Sequence, residues 1–229
     1  MDKFSRTELL IGKDGLNKLK NSKVAIFGIG GVGSFATEAL VRSGVGNITL
    51  IDNDIIDITN INRQIHADIT TVGKSKVEVM KNRILNINPD INITTHQLFY
   101  DSNCDEINFN FDYIIDAIDS IPSKIDLCIE ANRKNIQTIS SMGAANKLDP
   151  TKFEVSDIYK TSVDPIAKIM RKELKNNNIN SLKVVYSEEK PIKIQNSINE
   201  KKILGSIAFI PSVVGLIIAG EVIKDLIKI

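Results

Sequence analysis

The chain has 229 residues, 42% of them apolar and 25% charged, and a net charge of +1. That balance suits one soluble domain with a substantial core and excludes a polyanion binder working by overall charge, so any contact with nucleic acid needs a local basic patch. The two cysteines, Cys104 and Cys128, form no CxxC pair, which rules out a cysteine zinc clamp and argues against a disulfide framework. The opening "MDKFSRTELLIG" has no apolar leader, so a reducing, cytoplasmic setting is expected.

In chain order, short β-branched runs alternate with helical stretches. "KVAIFGI" (23–29) and "NITLID" (47–52) read as buried strands. Between them Phe35, Ala36, Ala39 and Leu40 share a helical face, and Gly44 stands where a C-cap glycine belongs. A second helix is expected from about Gly73 to Asn88, with Val77, Met80, Ile84 and Ile87 on one side and Pro89 as its stop. Strands follow at 91–95 and 113–118, a helix at 121–134 and a strand at 136–140. "FEVSDI" (153–158) and "LKVVYSE" (182–188) are two more strands, separated by a helix that Asp164 and Pro165 open as N-cap and N1.

"IAFIPSVVGLIIAG" (207–220) carries Pro211 in the middle and charged residues directly after it. At 14 residues it is shorter than a membrane span. It predicts a buried strand-plus-helix ending with no membrane insertion, and Gly215 and Ala219 would admit a helix of a second copy. The expected fold is α/β: a Rossmann-like, mostly parallel sheet with helices on both faces and a C-terminal extension of mixed strand and helix. No linker or repeat divides the chain, so 1–229 reads as one domain, with a nucleotide-binding half at about 20–145 and a substrate and dimer half at about 146–229.

Gly28, Gly30 and Gly33 fit G-x-G-x-x-G between a strand and a helix. Such a turn brings backbone N–H groups to phosphate oxygens at a positively polarised helix start. Asp52, at the end of the next strand, can grip ribose hydroxyls. The motif alone does not separate NAD from ATP.

Further residues favour ATP. "TNINRQIH" (59–66) offers Asn60 and Arg63 to a polyphosphate, "GKSK" places Lys76 in the first turns of a helix, and Asp119 ends another strand on the same sheet edge, where it can hold Mg²⁺. A nicotinamide site has no use for two extra cations and a metal-binding carboxylate.

With "GIGGVGS", "LIDND", "NRQ", "GKSK" and "DAIDS" in this order, the chain resembles the ThiF/MoeB-type adenylating enzymes related to ubiquitin activators, chiefly over residues 5–145. The resemblance implies that Gly31 approaches the nucleotide and Asp52 the ribose, that Arg63 and Lys76 hold the phosphates, and that Asp119 holds magnesium. It also implies nucleotide contacts from Asp54, Asn60, Gln64 and Ser120, and a homodimer in which Arg6 enters the partner's site.

Most relatives then need a cysteine, but none follows Cys128. "RTELLIG", "NRQIHA", "DPIAKIMRKELK" and "VVYSEEKP" look like the tRNA threonylcarbamoyladenosine dehydratase branch, which implies ATP-driven cyclisation of a modified adenosine beside the anticodon. Where some members of that branch carry a cysteine that takes sulfur from a desulfurase partner, this chain has "LGSIAF", which leaves a cysteine desulfurase or other sulfur-relay partner without its thiol. Lys168, Arg171, Lys172 and Lys175 fall on one broad helical face, with Lys183, Lys190 and Lys193 downstream, as a candidate tRNA surface. His66 stands close enough to "NRQI" to line the site, with a hydrogen-bonded structural role as the alternative; His96 reads as a surface strand residue. Three other readings remain open: adenylation of the C-terminal glycine of a ubiquitin-like sulfur carrier, nucleotide sensing without turnover, and, weakest, an NAD dehydrogenase.

Overall fold

Strand β1 (Lys23–Phe27) runs between β2 (Asn47–Ile51) and β4 (Tyr113–Asp116), parallel to both, with Val24 opposite Ile48 on one side and Tyr113 on the other. Four of its five residues are buried, as a continuous apolar run in a covered parallel strand requires. With β3 (Asn92–His96), β5 (Gln137–Ser141), β6 (Phe153–Asp157) and β7 (Lys183–Ser187), the sheet has the order β3-β2-β1-β4-β5-β7-β6, and only β6 is antiparallel. The computed structural model describes residues 2–194 and 204–229.

Alternation along β1 assigns the two faces. Val24 and Ile26 join a core with helices α1 (Ser5–Asn21), α2 (Gly33–Ser43), α3 (Lys76–Ile87) and α6 (Phe209–Ile227). Ala25 and Phe27 face the side of α4 (Ile121–Arg133), where Phe27 meets Tyr100 edge to face at 5.0 Å. Helix α5 (Pro165–Asn176) covers the end of that second face with Met170 and Leu174. Asp164 caps α5 as expected, its Oδ1 accepting from the Ile166 and Ala167 amides, and Gly44 ends α2 at φ 103°.

Four elements depart from the sequence reading. Helix α3 starts at Lys76 rather than Gly73, because Gly73 N donates to Ile56 O and Ile56 N to Lys74 O, which holds the segment beside 55–56. Strand β4 stops at Asp116 rather than 118, since the Asp116 carboxylate accepts from Ile118 N and turns the chain. Helix α1, which the N-terminal sequence did not reveal, bends at Gly12 (φ 72°) and leaves Leu9 and Leu10 86% and 88% exposed.

The fourth departure is the C-terminal segment. Phe209–Ile227 forms a single 19-residue helix and no strand. Pro211 lies in its first turn, where a missing N–H costs no helical bond. No helix among the described residues is long and apolar enough to cross a membrane.

The close approach expected at Gly215 is made by α2 of the same chain. A Cβ on Gly215 would lie 2.4 Å from Val32 O and 2.9 Å from Ala36 N. Tyr113 Oη donates to Asp225 on α6 at 2.6 Å, and Lys183 Nζ pairs with the same carboxylate, tying α6 to the sheet.

Gly215→Ala is therefore expected to cost about 1–3 kcal/mol by overpacking, a fall of roughly 3–10 °C in Tm. Gly220→Ala, on the same helix with nothing within 4 Å of its Cβ position, should leave Tm unchanged or raise it. Calorimetric melting of the two variants checks both expectations.

Candidate active site

The chain leaves β1 to pair with β2 and β3 and returns on the other side of β1 as β4, so the carboxyl ends of β1 and β4 part and a cleft of about 530 Å³ opens there. Its floor is the glycine turn. Gly28 has φ 89°, and a Cβ there would sit 2.5 Å from Ala117 O. A Cβ on Gly33 would sit 1.8 Å from Gly28 O, so α2 starts in contact with the turn. Gly30 and Gly31 line the cleft; Gly30 is open to it, whereas Gly31 packs beneath Pro211 of α6.

Asp52 ties this turn to the next. Its Oδ2 accepts from Ile29 N at 2.6 Å and its Oδ1 from Asp54 N at 2.8 Å. Burial raises its pKa above the ordinary carboxylate value, against the opposing pull of Lys76 and the two amides.

Arg63, Lys76 and Asp119 all line the same cleft as the turn, together with Asp54, Asn60 and Gln64. The cations are not free. Lys76 is buried and pairs with Asp54 Oδ2 at 2.6 Å, while the Asp54 side chain is 55% exposed. Arg63 Nη1 donates to Thr59 O and Asn62 Oδ1, both at 2.9 Å, and its other donors have no partner among the described residues. Asn60 Oδ1 accepts from Asp57 N in a capping box, and the buried Gln64 Oε1 has no partner among the described residues. Asp119 does not end a strand; it lies three residues past β4, exposed.

Two expected site residues lie elsewhere in this chain. Ser120 is the N-cap of α4, with its Oγ held by Ser123, and it is Ser123 and Lys124 that reach the cleft wall. Arg6 is exposed on α1 and does not line the cleft.

The expected basic stripe is narrower than its sequence. Lys168, Lys172 and Lys175 are exposed on α5, as are Lys190 and Lys193 beyond it, but Arg171 donates to Thr161 and Lys183 is taken by Asp225 and Glu221. The first turn of α5 reaches the cleft through Ile166.

Three site-building residues escaped the sequence reading. Asp116 and Lys124, with side chains 0% and 1% exposed, pair at 3.0 Å, Lys124 at the cleft wall and Asp116 at the end of β4. Ser140 Oγ donates to Asp116 Oδ2 at 2.5 Å, and Lys124 Nζ donates to Ile118 O at 3.1 Å. The available signal was a charge inside the apolar run "YIIDAI", which a central strand accepts only with a buried partner.

No group of three or more metal-ligating side chains exists among the described residues. Of the cleft's carboxylates Asp52 is tied to two amides and Asp54 to Lys76, so Asp119 alone is uncommitted among the described residues; that fits Mg²⁺ carried mainly by phosphate oxygens and water, the usual manner for this ion, and does not fit a metal held by protein alone. Both cysteines are free thiols; burial pushes that of Cys128 far up, so it offers no nucleophile.

His66 neither lines the cleft nor finds a hydrogen-bond partner for either ring nitrogen among the described residues. His96 ends β3 half-buried. Burial first, then Lys76 and Arg83, push the His66 pKa down from 6.5 to about 4. Below pH 6.5 the unfolded chain takes up this proton and the folded one does not, so stability falls as pH drops from 6.5 towards 4. The loss is about 3 kcal/mol in total. The stability difference between wild type and His66→Gln, from urea unfolding at pH 7 and pH 4, should shift by that amount in favour of the variant at low pH; a constant difference would refute the buried neutral imidazole.

Residues 4–229 match the sequence profile of the ThiF family. A protein of Bacillus subtilis (strain 168), tRNA threonylcarbamoyladenosine dehydratase, is 50% identical, with the match covering 100% of this chain and 96% of that protein. The crystal structure of E. coli tRNA N6-threonylcarbamoyladenosine dehydratase, TcdA, in complex with ATP shares 33% identity at a TM-score of 0.90, over 99% of this chain and 94% of that one. The same E. coli protein in complex with AMP gives a TM-score of 0.91 over the same shares. Sheet order, glycine turn and a match over nearly the whole sequence agree: the chain belongs to the ThiF family.

Proposed function

We propose that this protein is an ATP-dependent dehydratase that cyclises the threonylcarbamoyl group of an adenosine in tRNA. The observation that carries the reading is the convergence of Arg63, Lys76 and Asp119 on the glycine turn in one cleft, in a chain half identical to a protein named for that activity. A cradle of amides with Arg63, Lys76 and the exposed Asp119 beside it is chemistry for a triphosphate. The E. coli relative has been crystallised with ATP.

The reaction has two steps. The threonyl carboxylate attacks the α-phosphorus, forming an acyl-adenylate and releasing pyrophosphate. An atom of the carbamoyl group then attacks the activated carbonyl, closes the ring and expels AMP, which carries away the carboxylate oxygen. Arg63 and Lys76 offset charge on the phosphates, and the α2 N-terminus orients them through backbone amides. Asp119 would hold Mg²⁺, which would neutralise phosphate charge when bound. Attack comes from within the substrate, so positioning replaces a protein nucleophile; this agrees with the buried, raised thiol of Cys128.

The working form is a homodimer in which Arg6 enters the partner's cleft. Support comes from α1, where Arg6 stands exposed outside its own cleft beside the bare side chains of Leu9 and Leu10. The tRNA lies across the exposed face of Lys168, Lys172 and Lys175, whose helix begins at the cleft. A sulfur-relay partner has no support: Ser206 of "LGSIAF" lines the cleft without a thiol.

Incubation with ATP and threonylcarbamoylated tRNA, followed by digestion to nucleosides and mass spectrometry, should show the modified adenosine lighter by one water. Pyrophosphate exchange that requires a carrier protein's terminal glycine and ignores tRNA would replace this reading with the sulfur-carrier one. Asp119→Ala should abolish turnover with Tm kept. Arg6→Ala, inactive alone, mixed one to one with Asp119→Ala should recover about a quarter of wild-type activity, since half of the dimers then hold one whole site of two. No recovery on mixing removes the trans arginine.

A further inference from the structure

We propose that Lys124 is a positioning residue: with Asp116 and Ser140 it forms a buried clamp that fixes the backbone carrying Asp119. The proposal rests on the reading of Asp119 as the carboxylate that meets the magnesium-bearing phosphates. Three hydrogen bonds and an ion pair build the clamp. Asp116 Oδ2 accepts from Ser140 Oγ at 2.5 Å and pairs with Lys124 Nζ at 3.0 Å, while Asp116 Oδ1 accepts from Ile118 N at 3.2 Å. Lys124 Nζ also donates to Ile118 O at 3.1 Å. Both polar groups of Ile118, the residue just before Asp119, are thus held by the two halves of one ion pair.

The elements that deliver these groups are rigid. Asp116 and Ser140 face each other in the parallel register of β4 and β5, and Lys124 stands in the first turn of α4. Ala117 N donates to Phe27 O at 2.8 Å, pinning the residue between the strand and Ile118. Residues 117 and 118 are therefore fixed from two sides and α4 begins directly after Ser120. The Asp119 side chain has no hydrogen bond or ion pair among the described residues, so its place is set by its backbone alone.

A purely structural account of the pair is the weaker one. A buried ion pair stabilises a fold no better than apolar side chains of the same volume, whereas its directional bonds fix a loop that apolar packing leaves free. Replacing both charges at once, as in Lys124→Met with Asp116→Asn, avoids stranding one of them and separates loop placement from stability.

Three readouts on the full-length protein test the clamp: thermal melting, amide exchange over 117–119, and the gain in ATP affinity on adding Mg²⁺, measured by calorimetry without tRNA. The double variant should melt near wild type, exchange about tenfold faster at Ile118, and lose about tenfold of the Mg²⁺-dependent gain in affinity. In the cyclisation assay its KM for ATP at fixed Mg²⁺ should rise more than its kcat falls. Lys124→Arg should restore most of the gain. Should the double variant not fold, Ser140→Ala decides, because it leaves the ion pair whole and should move exchange and affinity the same way by less. Wild-type exchange and wild-type Mg²⁺ dependence in whichever of the two folds would overturn the inference. If wild-type protein shows no Mg²⁺-dependent gain, the reading of Asp119 fails, while the exchange result still reports on the clamp.

Discussion

Backbone contact at the end of β1 governs the rest of the molecule. Gly28 lies so close to Ala117, and Gly33 so close to Gly28, that no side chain fits at either point. Those two approaches bring the N-terminus of α2 and the exit of β4 to one place. Asp52 extends the arrangement, its carboxylate reaching Ile29 N on one side and Asp54 N on the other. The amides of the glycine turn, the Asp52 carboxylate and the Asp119 loop therefore share a floor because three strands end together. Gly215 secures that floor from behind by letting α6 rest on the carbonyl of Val32, which caps α2.

The charges around the cleft divide by burial. Lys76 is buried but its partner Asp54 is more than half exposed, and an ion pair with one solvated member contributes at most about 1 kcal/mol. An incoming phosphate can compete for Lys76 at little cost. The Asp116–Lys124 pair has neither member exposed, and breaking a pair of that kind by removing one side costs about 3–5 kcal/mol. One pair is thus exchangeable and the other is framework, although both join a lysine to an aspartate at hydrogen-bond distance. Arg63 belongs with the first, since its acceptors are a carbonyl and an exposed amide side chain.

All seven strands were readable in the sequence to within about two residues at each end, because each is a β-branched run bounded by polar or turn residues. The failures have separate causes. In α1 two glycines, Gly12 and Gly15, and a buried side limited to Leu16 and Leu19 among large side chains mask the helical period. In α6 the Ile- and Val-rich stretch looks like a strand, but the helix is buried along much of its circumference, a setting in which β propensity loses to packing. At the site, Arg63, Lys76 and Asp119 were legible because they follow strand ends in a known order. Ser120, Arg171 and Lys183 were misread because their partners lie elsewhere: Ser123 in the same helix turn, Thr161 ten residues back, and Asp225 on α6. Asp116, Ser140 and Lys124 each look bland alone. Only the register of β4 on β5 makes them a unit.

The position of the cysteines constrains the chemistry that such a cleft can serve. An acyl-adenylate formed over the glycine turn needs a nucleophile within a few ångströms. Cys128 is buried where α4 packs against α5, with its thiol held protonated, and Cys104 lies in a separate depression with Asp101, Asp105 and Arg133. Neither lines the cleft beside the glycine turn. One stretch of the cleft wall is instead formed by Met142, Gly143, Ala144 and Ala145, all apolar, with Gly143 N bound to the Asp164 carboxylate that also caps α5. A wall without a thiol, amine or imidazole suits a substrate that brings its own nucleophile. Asp164 joins this wall to the helix that carries the exposed Lys168, Lys172 and Lys175, so on the proposed function the anionic substrate's surface and the cleft move as one body.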